Sequence, residues 1–366
     1  MTTDDFFATI VKRTETGLNK GELILLKTGA EALFTTCEYL QRYLTGFEAE
    51  SGFVLVDKTG TTLYTDKRYL EAAKAVFATT PIKVAEIKKD SPPEKILSKY
   101  KTVAIPKDTT TLTEFERLQQ SGATFLDATP ALQEARSIKT ERELAAIKKA
   151  CRIAEESFER LLPQIEEGQT EKEIAARLEF EMRKSGAEGT SFDTIVAFGA
   201  HSAVPHHKTG DTPLKKGDVV LIDFGCKVDG YCSDMTRTFL FRDDGNHEDF
   251  KGAYQAVLSA HEKVLQEVKA GMTAGEADAV ARGYLQAKGY GQYFTHSLGH
   301  GIGLQIHEFP TLASGRETRL QESMVFSNEP GVYVEGKWGI RIEDTVTIKQ
   351  GKILSLMTTK KHLIIL

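Results

Sequence analysis

Apolar positions along this chain follow two periods, and the period changes from segment to segment. Leu144, Ile147, Cys151, Ala154, Phe158 and Leu161 recur at helical spacing. Thr140 with Glu143 forms a capping box ahead of them, and Pro163 and Gly168 close the segment. A second box, Thr170 with Glu173, opens a helix that runs through Met182 and stops at Gly186. A third, Thr273 with Glu276, opens one that ends at Gly289. Residues 249–269 form another helix, with Ala253, Val257, His261 and Val264 roughly in phase. The charged faces of these helices read as solvated scaffold. Between the helices lie β-rich runs, among them Ser191–Gly199, Val219–Gly225 and Gly230–Thr238. Asp229-Gly230 joins the last two and is a strong hairpin-turn signal; a bulge at Gly230 is expected to adjust the register.

The first third of the chain alternates differently. Phe6, Phe7, Ile10 and Val11 open an amphipathic helix. Glu22–Leu26 and Ala32–Phe34 read as short strands. Phe53–Asp57 and Thr61–Thr65 flank Lys58-Thr59-Gly60 as a hairpin. Tyr69–Phe77 reads as a helix, and Ile82–Val84 and Thr102–Ile105 as further strands. Such alternation predicts an α/β domain. A boundary falls near Ser137-Ile138-Lys139, so the expected layout is residues 1–136 followed by residues 137–366, and the fold class is α/β (α+β).

With 366 residues, 40% hydrophobic and 27% charged, the chain has room for two ordinary soluble domains. A net charge of -5 argues against a general nucleic-acid binder. No apolar run approaches the roughly 20 residues that span a membrane. The start, Met1-Thr2-Thr3-Asp4-Asp5, is acidic and lacks a signal-peptide pattern. Cys37, Cys151, Cys226 and Cys232 have no C-x-x-C spacing and read as reduced thiols of a cytoplasmic protein.

The chemistry concentrates in His296-Ser297-Leu298-Gly299-His300-Gly301-Ile302-Gly303-Leu304-Gln305-Ile306-His307-Glu308. Its three glycines disfavour a regular helix and let other groups approach the backbone closely. Elsewhere, Asp223, Asp234, Glu329 and Glu343 each sit in an otherwise apolar strand pattern, where an unpaired carboxylate is costly. Any one of them alone reads more readily as an edge acid or a salt-bridge partner; four with a histidine reverse that reading. Folding at Asp229-Gly230 brings Asp223 near Asp234. Arg341 and Glu343, two apart, share a strand face. Four carboxylates and one imidazole are too hard and too anionic for a structural zinc site. They suit Mn²⁺, Co²⁺ or a similar ion, and the charge suits two ions bridged by carboxylates.

The order Asp, Asp, His, Glu, Glu, in the contexts Ser327-Asn328-Glu329-Pro330-Gly331 and Arg341-Ile342-Glu343-Asp344, resembles the pita-bread metallopeptidases. Arg42-Tyr43-Leu44-Thr45-Gly46-Phe47 ahead of the Phe53 strand resembles the N-terminal domain of the creatinase, prolidase and aminopeptidase P branch. The resemblance implies a creatinase-like N-terminal domain and a pita-bread catalytic domain. It implies Asp223, Asp234, His300, Glu329 and Glu343 as ligands of two divalent ions, Mn²⁺ first, with Co²⁺, Zn²⁺ and Fe²⁺ open. The implied reaction is attack of a metal-bridging hydroxide on the bond before proline, releasing the N-terminal residue of a peptide. The resemblance further implies that Glu329 doubles as proton shuttle, that His307 and His206 hydrogen-bond the tetrahedral intermediate and the residue beyond the scissile bond, that His296 shapes the pocket and that Arg341 orients the ligand carboxylates. Relatives of this kind are commonly dimers or tetramers, so a homo-oligomer is expected.

Other readings fit the same residues. A prolidase, acting on Xaa-Pro dipeptides, shares the whole ligand set. A metal-free amidinohydrolase and an inactive binding module are remoter, because all five ligand positions are filled. His201 and His207 have no assigned role; His247, His261 and His362 read as structural or surface residues, and Trp338 as a packing residue.

Overall fold

The computed structural model describes residues 19–366; the helix expected over Phe6–Val11 lies outside them. The chain divides into two compact units, Met1–Arg136 and Ser137–Leu366.

In the first unit the strands are β1 (Ala32–Thr35), β2 (Gly52–Asp57), β3 (Gly60–Thr65), β4 (Lys83–Glu86), β5 (Thr102–Ile105) and β6 (Thr124–Asp127). They form one mixed sheet in the order β4-β3-β2-β1-β5-β6. Phe34, Phe53, Leu55, Val103 and Ile105 supply its core. One segment departs from the sequence reading. Glu22–Leu26 lies inside a helix, Lys20–Thr28. A run of four apolar residues carries no clear period, so its ends decide. Asn19 and Glu22 form a reciprocal capping box, and Gly29 closes the helix in the left-handed region.

The second unit is built on β7 (Gly189–Thr190), β8 (Ile195–Phe198), β9 (Val219–Phe224), β10 (Cys226–Val228), β11 (Tyr231–Cys232), β12 (Met235–Leu240), β13 (Gly299–Gly301), β14 (Glu308–Leu312), β15 (Val325–Asn328), β16 (Gly331–Val334), β17 (Trp338–Arg341), β18 (Glu343–Lys349) and β19 (Lys352–Ser355). The main sheet runs β14-β13-β15-β18-β12-β9-β8, with β19 added on β18. Its pairings are antiparallel. The helices Glu141–Leu161, Glu171–Lys184 and Ala274–Ala287 each begin with the capping box read from the sequence.

Alternation along the strands separates scaffold from site. Val220, Ile222 and Phe224 of β9 and Met235 and Phe239 of β12 join Phe158, Leu161, Leu178 and Met182 in one apolar core. Phe158 stacks on Phe224 with ring centroids 5.5 Å apart. Each such side chain contributes roughly 1.5–3 kcal/mol by leaving water. Asp223, Thr236 and Thr238 alternate with these residues and take the opposite face. Cys151, Cys226 and Cys232 are buried free thiols, Cys226 and Cys232 as part of this core, and burial pushes the thiols of Cys226 and Cys232 up to about 12 and about 11. Trp338 packs edge-on against Phe250 at 5.7 Å. Among the described residues no helix is long and apolar enough to cross a membrane.

Candidate active site

The first two acids come from one hairpin. Val228 pairs with Tyr231, and Asp229 (φ 48°) and Gly230 (φ 76°) form the two-residue turn, both in the left-handed region that a tight hairpin requires. Farther out, Phe224 pairs with Met235 and Asp223 with Thr236. These pairs keep one register through to Val228–Tyr231. The bulge expected at Gly230 is therefore absent, because the two arms contain equal numbers of residues. The ladder is instead interrupted where Gly225 faces Asp234. A Cβ on Gly225 would lie 1.9 Å from the Ser233 carbonyl oxygen, so only glycine lets the arms approach there. Asp223 and Asp234 end on the same face, diagonally placed.

His300 is carried by β13 between β14 and β15. A Cβ on Gly299 would meet the Ser327 carbonyl oxygen at 2.1 Å, and one on Gly301 the Phe309 carbonyl oxygen at 2.3 Å. The glycines thus flank the imidazole to let three strands close up. The His300 amide donates to Ser327 Oγ (2.9 Å), and Ser327 Oγ donates to Glu329 Oε1 (3.0 Å). His300 Nδ1 donates to the Gly301 carbonyl (3.2 Å). A carbonyl can only accept, so the proton sits on Nδ1 and the Nε2 lone pair is free. That lone pair points at Asp234 Oδ2 (3.5 Å) and Glu329 Oε1 (3.3 Å).

Glu343 opens β18, and Ile342 separates it from Arg341 at the end of β17. Arg341 Nη2 donates to Asp223 Oδ2 (2.6 Å), Nη1 to the Tyr333 hydroxyl (2.6 Å) and Nε to Thr236 Oγ1 (3.1 Å). Thr236 Oγ1 in turn donates a hydrogen bond to Glu343 Oε2 (2.6 Å). One guanidinium therefore orients Asp223 directly and Glu343 through Thr236.

Donor atoms of Asp234, His300 and Glu343 lie within 4.8 Å of one another. Asp223 Oδ1 is buried without a hydrogen-bond partner. Burial and the neighbouring acids push the carboxyls of Asp234 and Glu343 well above the ordinary range. Burial raises Glu329 to about 7, with Arg341 opposing and Asp223 adding to the shift. Carboxylates this crowded, facing an imidazole lone pair, repel one another unless protons or cations lie between them. Their donor set fits hard divalent ions.

His307 packs against the His300 ring at 4.3 Å, and both His307 and His206 are exposed. His296 is half-buried, and desolvation followed by Arg341 lowers it to about 3. Its Nδ1 donates to the Ser297 carbonyl (2.8 Å) and its Nε2 accepts from the Tyr333 hydroxyl (2.9 Å). His201 and His207 sit apart, on Glu171.

A family profile described as metallopeptidase family M24 matches residues 145–350, and one for the creatinase/prolidase N-terminal domain matches residues 22–138. The chain belongs to metallopeptidase family M24. It is a hydrolase of the Xaa-Pro peptidase branch, with a creatinase-like domain ahead of the catalytic one. A putative dipeptidase of Bacillus subtilis is 40% identical over 72% of this chain and 73% of its own length. A Pyrococcus furiosus Xaa-Pro dipeptidase is 37% identical over 86% of this chain and 89% of its own. The X-Pro aminopeptidase structure from Thermotoga maritima is 37% identical, with a TM-score of 0.86, covering 94% of this chain and 99% of that one. Membership implies divalent metal ions, and the acid cluster is where this M24 chain could hold them.

The residues that hold the acid cluster in shape were not all legible in the sequence. Thr236 was findable, being two residues beyond Asp234 on the same strand face. Tyr333 and the pair Asp278–Arg282 were not. Arg282 grips Asp278 with Nε and Nη2 (2.7 and 2.9 Å) and caps the Phe294 and His296 carbonyls (3.0 and 2.7 Å), while Asp278 accepts from the Leu298 amide (3.0 Å). The helix Ala274–Ala287 thereby fixes the segment that carries His296.

Proposed function

We propose that this chain hydrolyses the Xaa-Pro bond of short peptides, with dipeptides as its preferred substrates. The observation that carries the reading is the close approach of the Asp234, His300 and Glu343 donors beside the orphaned Asp223 Oδ1. Asp223, Asp234, His300, Glu329 and Glu343 would hold two divalent ions, Mn²⁺ in the native protein, with Co²⁺, Zn²⁺ or Fe²⁺ accepted by so oxygen-rich a set. Such ions, when bound, lower the pKa of a water toward neutrality and polarise a peptide carbonyl.

The chain's own groups do the rest. Glu329, held by Ser327, takes a proton from the attacking water and returns it to the leaving nitrogen. His307 and His206, both exposed, would hydrogen-bond the developing oxyanion and the residue beyond the scissile bond. His296 has both ring nitrogens occupied and stays neutral, so it walls the pocket and offers no proton to substrate. The free amine of a substrate meets the acid cluster, which restricts cleavage to the N-terminal bond.

The dipeptide preference is supported by the dipeptidase names of the Bacillus and Pyrococcus relatives. The second reading, removal of the first residue from longer peptides, is favoured by the sequence pattern and by the Thermotoga X-Pro aminopeptidase. Chelator-stripped protein resupplied with Mn²⁺ should cleave Gly-Pro faster than Gly-Pro-Pro. Faster tripeptide cleavage would install the aminopeptidase reading and leave the site intact. Cleavage of neither by the folded protein would leave a binding module.

Arg341→Lys is expected to lower Mn²⁺ affinity or kcat by roughly 10–100-fold, the range for groups that orient metal ligands. A single ammonium cannot reach Asp223, Tyr333 and Thr236 together. Activity titrated against free Mn²⁺ measures the change; an unaltered titration and rate would remove Arg341 from the site's support.

A further inference from the structure

Glu171, His201 and His207 form a second nitrogen- and oxygen-bearing cluster, apart from the acid centre. Glu171 is the first residue of the helix Glu171–Lys184, and its side chain is fully buried. The histidines lie thirty and thirty-six residues later, on the 3₁₀ turn Gly199–Ala203 and just beyond it. His201 Nδ1 meets Glu171 Oε1 at 2.9 Å, and His207 Nε2 meets Oε2 at 2.9 Å. The two rings stack at 4.5 Å, 30° apart. One donor atom from each of the three residues falls within 4.8 Å of the others.

We infer that these residues bind one borderline transition-metal ion, of the Zn²⁺ class, at a site distinct from the acid centre. Ligand atoms roughly 2.1 Å from a tetrahedral ion stand about 3.4 Å apart. Each imidazole nitrogen is 2.9 Å from a carboxylate oxygen, so an ion would enter by spreading these contacts by about half an ångström. The Phe198 amide (3.1 Å) uses one lone pair of Oε1 and the Gly210 amide (2.8 Å) one of Oε2, leaving the second lone pair of each oxygen for the cluster. The amides alone satisfy a helix-end carboxylate, so two stacked imidazoles exceed what anchoring the segment requires. Side-chain exposures of 43% for His201 and 13% for His207 give an ion an entry path and room for a water ligand. Two imidazoles and one carboxylate select Zn²⁺, Co²⁺, Ni²⁺ or Cu²⁺ over Mn²⁺, the reverse of the acid centre. An ion here ties the helix Glu171–Lys184 to the segment on which His206 stands between its two ligands.

The test is equilibrium dialysis of the full-length protein at micromolar free Zn²⁺, with metal counted by elemental mass spectrometry. Wild type should hold one Zn²⁺ per chain more than either His201→Asn or His207→Asn. Circular dichroism checks the fold of each, and His201→Asn changes the more exposed ring. Equal counts in wild type and folded His201→Asn overturn the site, including the outcome in which extra zinc sits on Asp243, Asp244 and His247. Because the readout is a difference in bound metal, it stands apart from whether the chain cleaves Xaa-Pro bonds.

Discussion

Glu329→Gln is expected to lower kcat/KM on Gly-Pro by on the order of 10³-fold, within the range lost when a positioned acid–base group is removed. The substitution keeps the shape of the side chain. Ser327 Oγ can still donate to Oε1, and the Glu329 amide still donates to the Leu298 carbonyl at 3.0 Å, so the strand junction should hold. What disappears is the carboxylate, both as a carrier of the proton and as a donor facing His300 Nε2. The two losses separate by measurement. Metal content close to wild type with the rate lost points to proton transfer; metal content lost points to ligation. In the metal-free state the same variant should be more stable than wild type at neutral pH, because an amide escapes the burial penalty that raises Glu329 to about 7. A Glu329→Gln variant that retains its metal and works within about tenfold of wild type would end the shuttle assignment, since a positioned acid–base group is worth more than that.

What the sequence disclosed and what it hid follow from the range of the interactions. Thr140–Glu143, Thr170–Glu173 and Thr273–Glu276 act over three residues, so their helix starts could be read directly. The Asp229-Gly230 turn was equally local; the supposed bulge was not needed once the two arms proved equal in length. Glu22–Leu26 is helical, against the strand its apolar run suggests, because four adjacent apolar residues suit either period and the deciding contact is Asn19 with Glu22. The acids drew notice because each stood alone in an apolar strand. Their supports did not. Arg341 reaches Asp223 across 118 residues, Ser327 faces His300 across 27, and Glu171 gathers His201 and His207 across 30 and 36. No spacing rule covers such separations.

Strand alternation also explains how adjacent acids came to differ. Glu343 and Asp344 are neighbours on β18 and face opposite sides of the sheet. Glu343 enters the crowded acid centre and is pushed well up by burial and by Glu329 and Asp223. Asp344 meets Arg237 Nη2 at 2.9 Å and Lys361 Nζ at 2.8 Å. Burial pushes it up as well, but Arg237, His261 and Lys361 outweigh that and hold it at about 2. His261, fully buried with Nε2 3.8 Å from Asp344, is lowered by that burial to about 4. One acid is compensated by the protein's own cations, and the other stands among like charges.

Removing metal should therefore abolish activity and also make stability fall as pH rises. Glu329 ordinarily titrates at 4.5 and does so at about 7 in the folded metal-free chain. Below 4.5 folded and unfolded chains are both protonated at this group, and it contributes nothing. Between 4.5 and 7 only the folded chain keeps the proton, so stability declines through this window; above 7 the whole penalty is present. At about 1.4 kcal/mol per unit the Glu329 share approaches ~3 kcal/mol. Asp234 and Glu343 are raised in the same direction, for the same cause of burial among like charges. Divalent ions relieve this repulsion, and they bind more tightly as protons leave the ligands, so both effects have the same sign. The melting temperature of Mn²⁺-loaded protein minus that of chelated protein should be small at about pH 5 and several degrees larger at about pH 8. A difference that is constant, or greatest at the acid end, would mean that the acids are compensated by the fold without metal and that the centre has been misread.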